Sequence, residues 1–252
     1  LYHALGVKLE NIIMFDSKGL FCKSRTSLDT MKKQFAVHEK SIEFENAFKK
    51  ADVFLGLSRA DLVSKDMIAK MSKNPIVFAL ANPEPEISYK QATSVRKDII
   101  MATGRSDHPN QVNNVLGFPF IFRGALDVRA TTINEAMKLA AVHAIAALAK
   151  ETIPEEVIEA YGGSNISFGK DQIIPKPLDP RLIYSVAPAV AKAAIDSGVA
   201  KNPIKDWEQY DHQLKKRLGL DNKLLRNITI KAQNNVKKVV FVEADNVKVL
   251  RA

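Results

Sequence analysis

The sequence predicts an α/β fold in which a doubly wound parallel sheet is followed by C-terminal helices. Three observations support this fold class. Short, continuous apolar runs recur in the first 103 residues, segments with helical spacing separate them, and a small or polar residue closes each run. Continuous apolar strands that alternate with helices are typical of a parallel sheet covered on both faces. The 46% hydrophobic and 26% charged residues fit a globular protein with a sizeable core.

Four strands and three helices are expected in this part of the chain. The strands lie at residues 11–16, 51–58, 74–82 and 98–103, and the helices at residues 28–35, 42–50 and 64–73. Right-handed crossovers bring the carboxyl ends of all parallel strands to one edge of the sheet, where ligands bind. The residues that follow the strands are therefore the first candidates for a site, namely Asp16, Ser58, Asn82 and the segment 103–105.

Helices dominate the second half of the chain. Residues 110–125 contain Gly and Pro and predict an ordered loop, after which Thr132 and Glu135 form the capping box of a helix that extends to Lys150. A further helix begins after Asp179 and ends at Gly198, with a kink or break expected at Pro188. Residues 206–218 predict another helix, and residues 236–242 predict the first strand of a domain that the chain does not complete.

Asp16 ends the first predicted strand. In a nucleotide-binding βαβ unit of the Rossmann type, an acid at this point accepts hydrogen bonds from the adenosine ribose, although Asp16 could instead only open the turn 16–19. The Gly-rich phosphate turn that accompanies such an acid should lie about twenty residues earlier, before Leu1. The first residue is not Met, so we expect a sheet whose N-terminal strand is missing and a chain that begins inside a longer gene product.

Two further positions offer amide groups to a ligand. Asn82 combines a donor and an acceptor at the tip of a strand, where it could contact a carboxamide or a carboxylate, or could begin an Asn-Pro turn. The polar segment 105–114 contains His108, which could be a general base or a solvated loop residue. It ends in Asn113 and Asn114, which predict either a helix start or a turn that faces a ligand.

Several classes of function are disfavoured. Cys22 is the only cysteine, which excludes an internal disulfide and a cysteine zinc cluster and makes a reducing, cytoplasmic setting the default. No apolar run is long enough to span a bilayer. The net charge of +9 is concentrated after residue 200, where 12 Lys and Arg stand against 6 Asp and Glu. Because the acids are interspersed, a solvated helical linker is favoured there over a nucleic-acid site.

Taken together, the motifs resemble the malic enzyme family, in its bacterial long form. The resemblance rests on FALANPEPEI at residues 78–87, on residues 102–149 from ATGRSDHPNQVNN to AIAALA, on DSKGL at residues 16–20 and on IIPKPLDPRLI from residue 173. It implies oxidative decarboxylation of malate to pyruvate with NAD or NADP and with Mg or Mn. The catalytic Tyr and Lys, the metal-binding acids and the phosphate turn of the family would all precede Leu1, so no catalytic or metal residue is expected here and the chain alone is expected to be inactive.

The resemblance also assigns roles to individual residues. Asp16 matches the ribose-side acid, Asn82 the residue that reaches the nicotinamide and the substrate, and Asn113 and Asn114 the pair that holds malate, while Gly56 and Ser58 lie on the loop that passes the cofactor. The choice of cofactor is open from the residues, since Asp16 favours a free 2′-OH. Charge and hydrogen bonds for a 2′-phosphate could come from Ser17, Lys18 and the pair Lys32 and Lys33, and the resemblance favours NADP.

The resemblance divides the chain into three parts. Residues 1–203 are expected to form the NAD(P)-binding domain and residues 204–235 a helical linker. Residues 236–252 are similar to the start of phosphotransacetylase, which follows malic enzyme in the bacterial long form. A homo-oligomer is expected for the full-length protein, with malate and pyruvate but no nucleic acid or membrane as partners. The alternatives are an amino-acid dehydrogenase-like cofactor domain and a non-catalytic remnant or partner-binding subunit from a split gene.

Overall fold

The structure, a computed structural model, describes residues 1–161 and 167–218. It divides into two compact units, Leu1–Pro203 and Ile204–Ala252, and the second is described only as far as residue 218. The strand predicted at residues 236–242 lies outside the described residues.

The prediction that residues 11–16 form a strand of the parallel sheet is wrong. Leu9–Asn11 form a single 3₁₀ turn, and only Phe15–Asp16 (β1) are extended. This short strand pairs antiparallel with Gly19–Leu20 (β2), so that it forms a separate hairpin rather than a strand of the parallel sheet. Gly19 has a φ of +109°, which the turn requires and which a residue without Cβ adopts without strain. The turn formed by residues 16–19 therefore decides the local fold.

Two short helices connect the hairpin to the main sheet. They are Thr30–Lys33 (α1) and Phe44–Ala47 (α2), each shorter than the predicted helix at the same place. Asp29 begins the first of them, because its side chain accepts a hydrogen bond from the Lys32 amide.

The main sheet has three parallel strands in the order in which they occur in the chain. Val53–Gly56 (β3) pairs with Ile76–Ala79 (β4), which pairs with Ile100–Thr103 (β5), and Lys65–Ala69 (α3) and Tyr89–Val95 (α4) form the crossovers. The predicted parallel sheet is thus confirmed for the last three of its four strands. Helix α4 was not predicted, although Ser88 and Gln91 exchange the two hydrogen bonds of a capping box at its start.

The strands differ sharply in burial. On the central strand β4, Val77 and Ala79 are completely buried and belong to a core that includes Ile68, Ile87 and Ile99. On the edge strand β3, by contrast, Val53 and Leu55 remain 45% and 42% exposed. An exposed apolar edge is unusual for a finished sheet and agrees with the expectation that a neighbouring strand is missing, which stays a prediction.

Four more helices follow the sheet, of which all but the third are longer than those before them: Phe118–Asp127 (α5), Glu135–Lys150 (α6), Glu155–Ala160 (α7) and Arg181–Asp196 (α8). The loop predicted at residues 110–125 is therefore wrong over α5. Pro119 lies in the first turn of that helix, where its missing N–H is not needed. Gly124 lets α8 approach closely, since a Cβ at this position would lie 2.9 Å from Cβ of Val190 and nearer still to the Ala187 carbonyl oxygen.

The boundaries of α6 and α8 refine the prediction. Helix α6 begins after Asn134, whose side chain accepts a hydrogen bond from the Met137 amide, so the capping box expected at Thr132 does not form. Helix α8 continues through Pro188 without a break and ends before Gly198, whose φ of +72° is that of a C-terminal glycine cap.

The second unit contains the helix Trp207–Arg217 (α9), which begins at Asp206 as predicted. The Asp206 side chain accepts a hydrogen bond from the Gln209 amide at 2.8 Å. In the described part of the chain, no helix combines the length and the hydropathy needed to cross a membrane.

Candidate functional site

The carboxyl ends of the three parallel strands place Asn82 beside Gly104. Asn82 is exposed and follows β4, and its peptide bond to Pro83 is cis. Gly104 follows β5, and a Cβ placed on it would lie 3.5 Å from Oδ1 of Asn82. The side-chain amide of Asn82 therefore reaches across from the end of one strand to the end of the next.

The amide of Asn82 keeps most of its hydrogen-bonding capacity. Its Nδ2 donates one long hydrogen bond of 3.4 Å to the Leu80 carbonyl oxygen. A primary amide can donate two hydrogen bonds and accept two, so this group retains strong donor and acceptor positions for a ligand at the sheet edge.

Asn110 holds the loop that follows β5. It is buried, with a φ of +54° that Asn tolerates better than most residues. Its Nδ2 donates to the carbonyl oxygens of Met101 and Lys170 at 3.0 and 2.8 Å, and its Oδ1 accepts from the Ile173 amide at 2.8 Å. Sequence reasoning placed Asn110 in a polar cluster without a role. The structure shows that it fastens this loop to β5 and to residues 170–173.

The pair Asn113 and Asn114 follows directly. Both are exposed, and the preceding residue, Val112, donates its amide to the Thr103 carbonyl oxygen at 2.8 Å. Oδ1 of Asn113 accepts a hydrogen bond from the Val115 amide at 3.0 Å and begins a short 3₁₀ helix, Asn114–Leu116. The helix-start interpretation is therefore correct for Asn113, while Asn114 contributes its side chain to no hydrogen bond among the described residues.

Asp16 lies in a cluster of charges on the β1–β2 hairpin. Its carboxylate accepts from the Lys18 amide at 2.9 Å, from Nη2 of Arg25 at 2.9 Å and from Nζ of Lys32 at 3.2 Å, and Nη1 of Arg25 forms an ion pair with it at 2.9 Å. Hydrogen bonding to Arg25 is the main cause that lowers the pKa of Asp16 far below its usual range. Ser17, by contrast, is simply exposed in the turn.

The cluster contains two cations and two carboxylates. Arg25 pairs with Asp16, and Nζ of Lys32 lies 3.2 Å from Asp16 and 4.0 Å from Asp29, with the Lys32 side chain 41% exposed. Both cations also lie over the Phe21 ring, each 5.5 Å from its centroid, so a hydrophobic surface holds them in place.

A row of aromatic rings joins the hairpin to the sheet. Phe15 of β1 contacts Phe44 of α2 with centroids 5.2 Å apart, Phe44 contacts Phe48 at 5.2 Å, and Phe48 contacts Phe54 of β3 at 5.0 Å. The structure thus forms two groups of candidate residues. Asp16 and Ser17 lie on the hairpin, and Asn82, Asn113 and Asn114 lie at the carboxyl edge of the sheet.

His108 is held by packing rather than presented to a substrate. Its ring stacks on that of Tyr89, with centroids 4.9 Å apart and planes 17° apart. Burial, together with the nearby Asp171 carboxylate, raises the pKa of Tyr89. The ring is half-buried and packed, so the structure supports neither a general base nor the solvated loop residue that was the alternative for His108.

Arg105 connects the loops that follow β4 and β5. It donates a hydrogen bond to Asp107 at 2.9 Å and lies 3.7 Å from Glu84. Its hydrogen bond lowers the pKa of Asp107 to about 2.

A surface depression lies away from these residues. A depression of about 510 Å³ is lined by residues of α2 and its surroundings, including Phe44, Leu62 and Met67. We place the candidate site at the strand ends instead, because the free amides lie there. Among residues 1–161 and 167–218, no group of three or more His, Cys, Asp or Glu could hold a metal ion.

Comparison with known proteins identifies the family. Residues 7–159 match the family model described as "Malic enzyme, NAD binding domain". The chain belongs to the malic enzyme family. Within the matched segment lie all of the candidate residues: Asp16, Ser17, Gly56, Ser58, Asn82, Asn113 and Asn114.

Relatives in the family differ in the cofactor that their names give. The chain is 49% identical over 251 residues to an NADP-dependent malic enzyme of Haemophilus influenzae, covering 99% of this chain and 33% of the relative. It is 46% identical over 250 residues to an NAD-dependent malic enzyme of Rhizobium meliloti, covering 98% of this chain and 32% of that relative. The chain therefore spans about a third of the length of these curated malic enzymes.

A solved structure supports the fold. The malic enzyme of Entamoeba histolytica superimposes with a TM-score of 0.73 at 33% identity, over 95% of this chain and 47% of that one. The Rossmann-like α/β fold predicted from the sequence is thereby confirmed.

Proposed function

We propose that this chain is the cofactor-binding part of a malic enzyme that oxidises malate to pyruvate and carbon dioxide with NADP. The observation that carries the proposal is the free Asn82 amide beside Gly104, at the carboxyl edge of a parallel sheet that matches the NAD-binding domain of the family. The bound dinucleotide would accept the hydride from C2 of malate. The same match decides against an amino-acid dehydrogenase.

The amides at the sheet edge would orient the reacting groups. Asn82 can accept from and donate to a carboxamide, which fixes the plane of the nicotinamide ring. Nδ2 of Asn113 and Nδ2 of Asn114 can each donate to a malate carboxylate, because only Oδ1 of Asn113 is occupied by capping. These contacts would hold C2 of malate near the ring, and such positioning accounts for a large part of enzymatic rate enhancement.

The hairpin would hold the adenosine end of the cofactor. The Asp16 carboxylate suits a ribose hydroxyl, and the partly exposed ammonium group of Lys32 suits a 2′-phosphate. This donor set fits NADP better than NAD, because the additional phosphate would gain a charged contact with Lys32 that a free 2′-OH does not make. Ser17 is exposed next to this cluster and would add a hydroxyl donor.

Three further proposals concern the metal, the activity of the chain alone and the state of the full-length protein. The described residues do not fit a metal ion, so no step of the reaction is assigned to Mg or Mn held by this chain. We propose that residues 1–252 alone do not turn over malate, that the full-length protein is a homo-oligomer and that it is cytoplasmic. The last proposal follows from the single cysteine.

The test is the formation of NADPH by the full-length gene product with malate, NADP and Mn²⁺. Replacing Asn82 by Ala should lower kcat about 10- to 100-fold, the loss expected for one or two hydrogen bonds made during hydride transfer. Asn202→Ala, which removes an exposed amide elsewhere, is the matched control. Wild-type kinetics in the Asn82 variant would refute the role of Asn82. The absence of malate-dependent NADPH formation in the unaltered protein would support a non-catalytic remnant instead.

A further inference from the structure

Glu86 is a completely buried acid beneath the candidate site. It is 0% exposed, and no ion pair to it is formed by the residues that the structure describes. Burying a carboxylate without a cation is costly, on the order of several kcal/mol. A neutral or apolar side chain would avoid that cost, so the presence of an acid here requires a specific reason.

Two backbone amides account for the position of the carboxylate. Oε1 of Glu86 accepts from the Ser58 amide at 2.8 Å, and Oε2 accepts from the Ala81 amide at 3.1 Å. Ser58 follows β3 and Ala81 follows β4, so each donor lies just beyond the last residue of its strand. The carboxylate bridges two neighbouring strands at the point where their own hydrogen-bonded ladder ends.

Gly56, the last residue of β3, is shaped to admit this carboxylate. A Cβ on Gly56 would lie 2.6 Å from Oε1 and 2.7 Å from Oε2 of Glu86, far inside van der Waals contact with both oxygens. Its backbone does not have a positive φ, so the conformation alone does not demand glycine. The space taken by Glu86 is therefore the reason that a residue without a side chain stands at position 56.

The chain around Glu86 is fastened on its other side as well. The Glu86 carbonyl oxygen accepts from the Val63 amide at 2.9 Å, and the Pro85 carbonyl oxygen accepts from the Asp61 amide at 3.3 Å. Residues 81–86 thus form a short loop that is held at both ends. Asn82 lies within it, next to the residue whose amide Glu86 binds.

We propose that Glu86 is a positioning residue that fixes Asn82 and the Ser58 loop relative to each other through these two amides. The inference rests on the proposed function in one respect, namely that Asn82 contacts the nicotinamide end of the cofactor. Glu86 touches neither cofactor nor substrate. It sets the separation between the two loops that the nicotinamide must enter.

The test replaces Glu86 by Gln in the full-length gene product. Gln keeps the shape but turns one of the two acceptors into an NH₂ group, which then faces an amide donor and breaks one side of the bridge. We expect KM for NADP to rise and kcat to fall, each about ten-fold, as for the loss of one hydrogen bond to a charged group. We also expect NADPH affinity to fall while the affinity for the adenosine half alone, ADP with a 2′-phosphate, stays unchanged.

Gly56→Ala tests the space that Glu86 occupies, and Gly124→Ala is its matched control, because it introduces a comparable clash at the contact between α5 and α8. It should lower Tm without changing KM for NADP or the affinity for NADPH. The double variant Gly56→Ala/Glu86→Ala distinguishes the space that Glu86 fills from the hydrogen bonds that it accepts. In it, Glu86→Ala should relieve the clash that Gly56→Ala creates. The double variant should therefore recover Tm relative to Gly56→Ala while its KM for NADP stays raised.

Three results would overturn the proposal: wild-type kinetics in Glu86→Gln, equal weakening of NADPH and of the adenosine half, or full recovery of activity in the double variant. Failure of the proposed function is distinguishable from these. An unaltered protein that binds NADPH but does not oxidise malate would refute the malic enzyme activity, and the role of Glu86 would then be decided by the two affinities alone.

Discussion

Both carboxylate oxygens of Asp16 lie 2.9 Å from nitrogens of the Arg25 guanidinium. The acid that should receive the ribose is therefore already paired, and the second cation, Lys32, stands 3.2 Å away. Arg25 also donates to the Gly19 and Leu20 carbonyl oxygens, so the pair of Asp16 and Arg25 is held rigidly in the hairpin, and Lys32 is the cation that can move to a ligand most easily. We therefore expect the preference for NADP or NAD to depend on single charged residues of the hairpin, above all on Lys32.

Lys32→Gln should weaken NADPH binding about ten-fold and leave NADH binding nearly unchanged, because it removes the partly exposed ammonium group that is proposed to contact the 2′-phosphate. Fluorescence titration of the full-length protein with each reduced cofactor measures both affinities. Lys138→Gln on α6 removes the same charge away from the hairpin and should alter neither. Equal losses for both cofactors in the Lys32 variant would show that the cluster does not select the phosphate.

Asp98 should make stability depend on acid pH. Hydrogen bonding from Arg96 is the main cause that lowers the pKa of Asp98 well below its ordinary value, and Arg96 also donates to the carbonyl oxygens of Met71 and Ser72. A folded pKa below the unfolded value of about 3.9 stabilises the protein above that value, and the stabilisation is lost as the pH falls through the folded pKa.

The variant Asp98→Asn should therefore unfold at a lower urea concentration than the unaltered protein at neutral pH. Below about pH 4, the difference between the two should shrink, because the unfolded chain then binds a proton at Asp98 that the native protein does not bind until the pH nears the lower folded pKa. Asp52→Asn removes an exposed acid that forms no ion pair with the described residues and should show little effect. A difference that stays constant across this pH range would mean that the Arg96 interaction does not depend on the charge.

Substitutions of Asn113 and Asn114 should have different effects, because Asn113 both caps a helix and is proposed to contact malate, whereas Asn114 is proposed only to contact malate. Asn114→Ala should raise KM for malate about ten-fold without lowering Tm, because its side chain supports no neighbour. Asn113→Ala should lower Tm as well, since it removes the cap of the 3₁₀ helix. Asn113→Asp, which retains the capping oxygen, should restore Tm but not malate affinity, because its carboxylate repels the substrate. Identical behaviour of all three variants would contradict this division.

Residues 1–252 expressed alone should show no malate-dependent NADPH formation. The described residues hold no metal cluster, and the chain spans about a third of the length of the named malic enzymes. Turnover by the purified chain with malate, NADP and Mn²⁺ would refute this expectation. The full-length gene product, assayed in parallel, is the positive control.

The sequence predicts the parts of the fold that depend on local patterns. Strands β3, β4 and β5 follow from apolar runs too short for helices, and the helix at residues 206–218 follows from its cap at Asp206. The hairpin was missed because an apolar run alone does not specify its partner, which here is the neighbouring pair Gly19–Leu20 rather than a distant strand. The capping box of Ser88 and Gln91 was visible in the sequence and would have predicted α4.

Non-local contacts account for the other failures. Gly124 contributed to the prediction of a loop at residues 110–125. In the structure it lies within α5 and allows close contact with Ala187 and Val190 of α8, more than sixty residues later in the chain. Glu86 could not be predicted as a candidate from the sequence, because its burial depends on Gly56 and on the ends of two strands that only the folded sheet brings together. The candidate positions Asp16 and Asn82 could be found as residues that end strands, whereas the groups that hold them could not.

The row of rings from Phe15 to Phe54 has an evolutionary consequence. The hairpin that carries Asp16 is attached to the sheet by edge-to-face and tilted ring contacts rather than by a continuous backbone ladder, so substitutions on the hairpin need not disturb the strands of the sheet. Selection could then exchange one dinucleotide for the other while the geometry of hydride transfer is conserved. Relatives 49% and 46% identical to this chain bear NADP- and NAD-dependent names, which is the outcome that such a modular attachment would permit.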